Sequence, residues 1–291
     1  MNKLIYRIRT YLNMNQTEFA ERLNVTFATV NRWENGRALP TKLAQTMMFE
    51  LCKELNVPVY DMIINNIADA ASELKVDANR VVLYHGSKSG IEGNIEPKSR
   101  EFCDFGKGFY MGTEPEQALT LICDFDKSKF YIVSIDIDDL KKMEVPADID
   151  WAMLVAYHRG KMNDIIDTPV YKKYHDMDYG QDLIIGCIAN DRMFFVIDNF
   201  FVGNITDVAL VNSLSALKLG KQYVAVTQKA CDRVRIEKEI SLSYFERMFI
   251  KEVAEANREK GVSFANDICK NYRREGLFFD EIISGENGGE Q

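Results

Sequence analysis

Proline, tryptophan and histidine are scarce in this chain: six, two and three residues among 291. With only 17 glycines besides, a collagen-like or low-complexity chain is excluded. The six cysteines (Cys52, Cys103, Cys123, Cys187, Cys231 and Cys269) are scattered and form no CxxC pair. In a chain this long, that pattern argues against a disulfide framework and for a reducing compartment. His85, His158 and His175 are the only histidines, no His/Cys spacing resembles a zinc site, and no metal is expected. No apolar run approaches the roughly 18–20 residues of a membrane span, and the N-terminus lacks the apolar core of a signal peptide. The expectation is a cytoplasmic protein that does not engage a membrane. There is no internal repeat.

What is present supports a substantial core. Hydrophobic residues make up 46% and aromatics 11% of a length that suits about two domains. The net charge of −8 argues against a protein dominated by nonspecific nucleic-acid binding. The charge is uneven. Residues 1–66 hold eight basic and six acidic side chains, a net of +2, which leaves −10 for the rest. A mildly basic head on an acidic body suits a small DNA reader joined to a domain with another task.

Hydrophobic spacing divides the chain. Leu4, Ile5, Ile8 and Leu12 recur at helical intervals, and helical pattern continues through 17–23, 27–35, 41–55 and 58–67. Residues 1–66 therefore read as an all-α unit of a size that can fold alone. Residues 67–79 read as a connector. From 80 the chain alternates short β-like runs (VVLYHG, GFYMG, KFYIVSIDI, DLIIGCIA, QYVAVT) with helical stretches at 114–125, 151–160, 191–202 and 206–218, which predicts an α+β domain over 80–240. Residues 241–284 return to helical spacing as a C-terminal extension, and 285–291 read as a disordered tail.

Residues 16–39, QTEFAERLNVTFATVNRWENGRAL, resemble the helix-turn-helix of phage-repressor-like regulators. The marks are Gln16, a small Ala20 where two helices would cross, the turn at Asn24 and Val25, the apolar wedge Leu23, Val30 and Trp33, and Gly36 closing the second helix. Thr26 is placed as the N-cap of that helix. The resemblance implies that Phe27, Ala28, Asn31 and Arg32 face the major groove, and that Gln16, Asn35 and Arg37 meet phosphates. Phe27 and Ala28 can only pack on a thymine methyl, which leaves Arg32 to read guanine. Such domains usually bind paired half-sites as dimers.

Three later segments belong together: Tyr84-His85-Gly86-Ser87 at a strand end, Phe105-Gly106-Lys107-Gly108-Phe109-Tyr110 rising from a turn into a strand, and Gln222 opening QYVAV. They resemble the His-Tyr type of ADP-ribosyltransferase fold shared by diphtheria-toxin-like enzymes and poly(ADP-ribose) polymerases. A similar running pattern occurs in a group of bacterial domains, many of which look like toxin modules. Here that pattern falls at 84–87, 104–113, 117–118, 182–191 and 222–230. The resemblance implies two packed, mostly antiparallel sheets with flanking helices. It implies NAD⁺ as substrate, held by His85, Gly86, Ser87, Gly108, Phe109 and Tyr110. His85 would bond a ribose hydroxyl, the Gly86 backbone would hold the nicotinamide carboxamide, and Tyr110 would stack on the nicotinamide ring. His85, Tyr110 and Gln222 would be the catalytic set.

Gln222 departs from the polymerases, which have Glu at that position. A carboxylate can stabilise a cationic sugar and help deprotonate an acceptor, whereas a carboxamide can only orient. The expectation is a single transfer of ADP-ribose to protein or nucleic acid, with Asp104, Glu114 or Glu116 as possible bases and Phe125 as the candidate second aromatic. A toxin-like effector with a DNA-binding, autoregulatory head follows, with a target protein or an antitoxin as further partner. A regulator that senses NAD⁺ or ADP-ribose without turnover, and an NAD⁺ glycohydrolase, stand as alternatives.

Overall fold

The computed structural model describes residues 1–188, 191–216, 220–272 and 275–287, without the side chains of 191–195, 214–216, 261, 262, 265 and 285–287. Five helices come first: α1 (Asn2–Tyr11), α2 (Gln16–Arg22), α3 (Phe27–Glu34), α4 (Lys42–Glu54) and α5 (Val59–Ser72). Side chains fix their starts. Asn15 closes a capping box with Glu18 at α2, and Thr26 and Thr41 accept from the first turns of α3 and α4. Gly36 follows α3 at φ +66°, the left-handed position that favours glycine. α5 runs on to Ser72, so the first part of the expected connector is helix.

The remainder is β1 (Arg80–Ser87), β2 (Phe109–Gly112), α6 (Pro115–Ile122), β3 (Lys129–Asp136), β4 (Lys142–Glu144), α7 (Ile149–His158), α8 (Pro169–Met177), β5 (Leu183–Cys187), α9 (Asp191–Phe201), α10 (Asp207–Ala216), β6 (Lys221–Ala225), α11 (Gln228–Cys231), β7 (Val234–Ile240), α12 (Tyr244–Asn271) and α13 (Phe279–Asn287). α13 reaches Asn287, inside the stretch expected as a disordered tail, and 288–291 lie outside the described residues.

The strands form one seven-stranded mixed sheet in the order β4-β5-β6-β2-β1-β3-β7, not the two packed sheets expected. Among the described strands, β4 and β5 run parallel and the other pairs are antiparallel. The reason is a single stitch. β1 and β2 are joined at one pair, Tyr84 opposite Gly112, whereas β1 pairs with β3 along its whole length. That pair bonds the two strand edges only where they meet. Away from it the two strands part, and a seam runs through the middle of the sheet.

Alternation along the strands sorts the core. Leu83, Phe109, Met111, Tyr131, Val133 and Leu183 share one face. The opposite face is divided at the seam. Ile184 and Val224 pack under α7 to α10 with the fully buried Trp151, while Phe130 and Ile132 pack under α6, α12 and the N-terminal helices. The helix-turn-helix unit is therefore not a self-contained body. Leu4, Ile8, Phe49, Met48 and Ile63 are continuous with Leu119, Ile122, Phe245 and Ile250 in one cluster. Phe49 and Phe249 lie 4.6 Å apart, the Phe245 amide donates to Gln45 Oε1 at 2.8 Å, and Lys53 pairs with Glu252. Composition showed a unit large enough to fold alone, but it could not show an apolar α4–α5 face already matched to α12.

Candidate functional site

The strand order brings three distant residues to adjacent strands: His85 on β1, Tyr110 on β2 and Gln222 on β6. A cross-strand row runs Gly186, Gln222, Gly112, Tyr84, each opposite the next. Tyr84 was read only as part of a motif. The structure places it beside Gly112 at the seam, with its ring stacked on Phe130 at 5.7 Å.

His85 is half-buried and sits in the seam. Its Nδ1 lies 2.7 Å from the Tyr110 carbonyl oxygen, and its ring stacks on Phe109 at 4.2 Å. A carbonyl can only accept, so Nδ1 carries the proton and Nε2 is an acceptor. Burial holds the imidazole below the ordinary histidine range, with the Tyr110 carbonyl acting in the opposite sense. Nε2 takes no hydrogen bond from the described residues.

Tyr110 does not present a free hydroxyl. Its OH donates to the Gly106 carbonyl at 2.8 Å and accepts from the Phe105 amide at 3.0 Å, and its ring packs with the α7–α10 core. Burial raises its pKa, so the phenol stays neutral. By strand alternation Tyr110 and Gln222 face the α7–α10 side, whereas His85 shares the other face with Phe109. The three residues meet at the seam but not on one wall.

Gln222 is 2% exposed. Its Nε2 donates to Asp104 Oδ2 at 2.7 Å and to the Cys187 carbonyl at 2.9 Å. Asp104 is also buried and pairs with Arg159, the residue that closes α7. Of the three acids expected as bases, only Asp104 joins this cluster. Glu114 is exposed, and Glu116 is half-buried on α6 near Tyr60 and Tyr84, where burial raises its carboxyl above the ordinary range and its Oε2 has no partner among the described residues. Phe125 lies past the end of α6, with Lys88 4.5 Å from its ring, and is not part of the cluster.

The glycines have packing reasons. A Cβ on Gly86 would stand 2.5 Å from the Ala118 carbonyl, and one on Gly108 would stand 2.5 Å from Val224 Cγ1. Gly86 therefore lets α6 lie on β1, and Gly108 lets β2 lie on β6, whatever ligand is bound. Ser87 turns its hydroxyl back to the Gly90 carbonyl at 2.7 Å. Asp182, part of the fourth motif, is a clamp. It accepts from the Lys141 amide, Lys229 and Thr227, and these hold its carboxyl down at about 2. Ala189 and Asn190 of the same motif lie outside the described residues.

A cleft of about 500 Å³ opens beside the 101–107 loop, lined by Phe102, Phe105, Tyr157, Tyr171, His158 and Asp178. His158 is half-buried, with Nε2 2.7 Å from Asp178 Oδ2. Trp151 is core, and its indole donates to the Cys187 carbonyl at 3.1 Å. Phe194 and Phe195 fall outside the described side chains. Among the described residues, no group of three His, Cys, Asp or Glu could hold a metal, and no helix is long and apolar enough to cross a membrane.

At the N-terminus, α2 and α3 sit as the turn residues predicted. Ala20, Leu23, Val30 and Trp33 are buried, and Phe27, Ala28, Arg32, Asn35 and Arg37 are exposed. Gln16 and Asn31 are tied down. Gln16 Nε2 donates to Glu34 Oε2 at 2.6 Å and its Oε1 accepts from Asn31 at 3.2 Å, while Arg9 pairs with Glu34 and Asn35 bonds back to Asn31. Gln16, expected on a phosphate, has both ends of its amide engaged within the protein.

Residues 5–62 match the family model described as Helix-turn-helix, which supports DNA binding through the N-terminal domain. Residues 81–236 match the family described as Protein of unknown function (DUF3990). No curated protein and no solved structure matches the chain. The second family match covers more than half of the chain, so the chain belongs to that family.

Proposed function

We propose that this member of the DUF3990 family is a mono-ADP-ribosyltransferase carrying its own DNA-binding head. One observation carries the reading: a fold that sets β6, β2 and β1 side by side gathers His85, Tyr110 and Gln222, in the chain order of the resemblance, at the seam where the sheet parts. The donor set fits a sugar. His85 Nε2 and Gln222 Oε1 are both acceptors without a partner among the described residues, and a ribose supplies hydroxyl donors.

In the reaction, the bond between the ribose C1′ and the nicotinamide nitrogen breaks, and its electron pair leaves on nicotinamide. The acceptor's nucleophile bonds to C1′ and loses its proton to solvent or to a base. Neutral His85 and the carboxamide of Gln222, which face opposite sides of the sheet, would each meet a different ribose hydroxyl of NAD⁺, and the dipoles at the seam would favour the oxocarbenium-like state. With no carboxylate at position 222 itself, single transfer is favoured over chain growth. The helix-turn-helix would bring this activity to DNA, in keeping with a toxin-like effector that controls its own promoter.

The burial of Gln222 against Asp104 keeps a second reading in view, a regulator that binds NAD⁺ without turnover. Full-length protein incubated with labelled NAD⁺ and a cell lysate separates the readings. Label on a macromolecule together with free nicotinamide supports transfer. Nicotinamide alone indicates hydrolysis, and binding without either product indicates sensing. His85→Ala should lower nicotinamide release at least about 100-fold.

A further inference from the structure

Gln222 is an unusual side chain to bury at the centre of a sheet, and its surroundings fix which way it points. Its Nε2 meets two acceptors, the Asp104 carboxylate at 2.7 Å and the Cys187 carbonyl at 2.9 Å. An amide nitrogen has two hydrogens and can serve both. An amide or carboxylate oxygen in its place would face two acceptors with nothing to donate. The nitrogen is therefore held toward Asp104, and the oxygen is turned away. That oxygen accepts nothing from the described residues. Asp104 is itself 5% exposed, and such burial is tolerable because Arg159 pairs with it. Three segments far apart in sequence thus converge to aim one acceptor atom.

We propose that Asp104, backed by Arg159, is a positioning residue that turns the Gln222 carboxamide oxygen toward a hydroxyl donor of the bound substrate. The inference rests on the NAD⁺ reading for the identity of that donor, a ribose hydroxyl. It also accounts for Gln at this position: a Glu would press an oxygen against both the Asp104 carboxylate and the Cys187 carbonyl. The carboxylate that resembling enzymes carry at position 222 is here displaced one residue outward, onto Asp104, and acts through the amide.

The test uses full-length ¹⁵N-labelled protein and two readouts. The Gln222 side-chain amide signal, assigned by its loss in Gln222→Glu, should be protected from solvent exchange in the wild type and lose that protection in Asp104→Asn. With NAD⁺, Asp104→Asn should lower kcat for nicotinamide release by about 100-fold while KM changes less than about threefold. Arg159→Lys, which keeps the charge on Asp104, should recover most of the activity that Arg159→Gln loses. Free exchange of the Gln222 amide in the wild type overturns the proposal, and that measurement needs no variant to fold. Unchanged kcat and protection in Asp104→Asn overturn it equally. Should the wild type release no nicotinamide while Asp104 still protects the amide, the NAD⁺ reading falls and the positioning of the carboxamide stands.

Discussion

At the scale of single residues, His85 shows how a backbone contact assigns chemistry to a side chain. The Tyr110 carbonyl accepts a hydrogen bond from Nδ1 and leaves Nε2 as an acceptor, so the fold favours the neutral ring. Burial depresses its pKa, and the sign of the pH effect follows. The unfolded chain takes up a proton near the ordinary value of about 6.5 while the folded chain resists it, so stability is full above that pH and declines as pH falls below it. Thermal melts from pH 7.5 to 5 should show the wild type losing more stability than His85→Gln, which keeps a donor for the carbonyl but cannot titrate; parallel curves would refute the assignment. Of the residues singled out from sequence, His85 and Gln222 each keep an acceptor atom without a partner among the described residues. At Gly86 and Gly108, the atoms that forbid a Cβ belong to α6 and β6. Nothing within either motif could have disclosed those neighbours.

Among the elements, the helix-turn-helix was the most legible. Its turn and wedge are local, and Thr26 caps α3 as its position predicts, with its hydroxyl 3.2 Å from the Thr29 amide. Phe27, Ala28 and Arg32 of α3 are exposed, as the resemblance to DNA-reading helices requires. Arg32→Ala should cost about 1–3 kcal/mol of binding at a DNA site selected from a random library, and should relax preference at one base pair. A uniform loss across sequences would place Arg32 on phosphate instead. The short β4 and α11 escaped the sequence reading, and so did two longer elements, α8 and β7. α8 had its signal in Thr168 followed by Pro169, an N-cap and a first-turn proline, but its polar run hid the helical spacing. β7 (VRIEKEI) is an edge strand rich in charge, and such charges guard an edge while masking the apolar alternation by which strands are recognised.

The molecule as a whole is joined through one apolar cluster that spans the N-terminal helices, α6, β3 and α12. α6 lies directly on β1, the strand that carries His85 to the seam, so the DNA-binding head and the candidate site share a wall. Removal of residues 1–79 would expose Ala118, Leu119, Ile122, Phe245, Phe249 and Ile250. Each fully buried large side chain among them contributes about 1.5–3 kcal/mol. The 80–291 fragment should therefore melt well below the full chain or aggregate, as read by calorimetry and size-exclusion chromatography. A fragment with unchanged Tm would show that the shared cluster contributes little.

The amino-acid sequence by itself determined the helix-turn-helix, the change from helical to β-like spacing near residue 80, and the order of the His, Tyr and Gln segments. These depend on neighbours a few residues apart: capping oxygens, glycines at turns, alternation along a strand. Tertiary structure decided the rest. Tyr84 stitches to Gly112 and makes one sheet where two were expected. Asp104 reaches across 118 positions to orient Gln222, and α12 closes over a helical head that reads, on its own, as independent. Such contacts join segments whose local patterns are complete without one another, and only the packed chain brings them together.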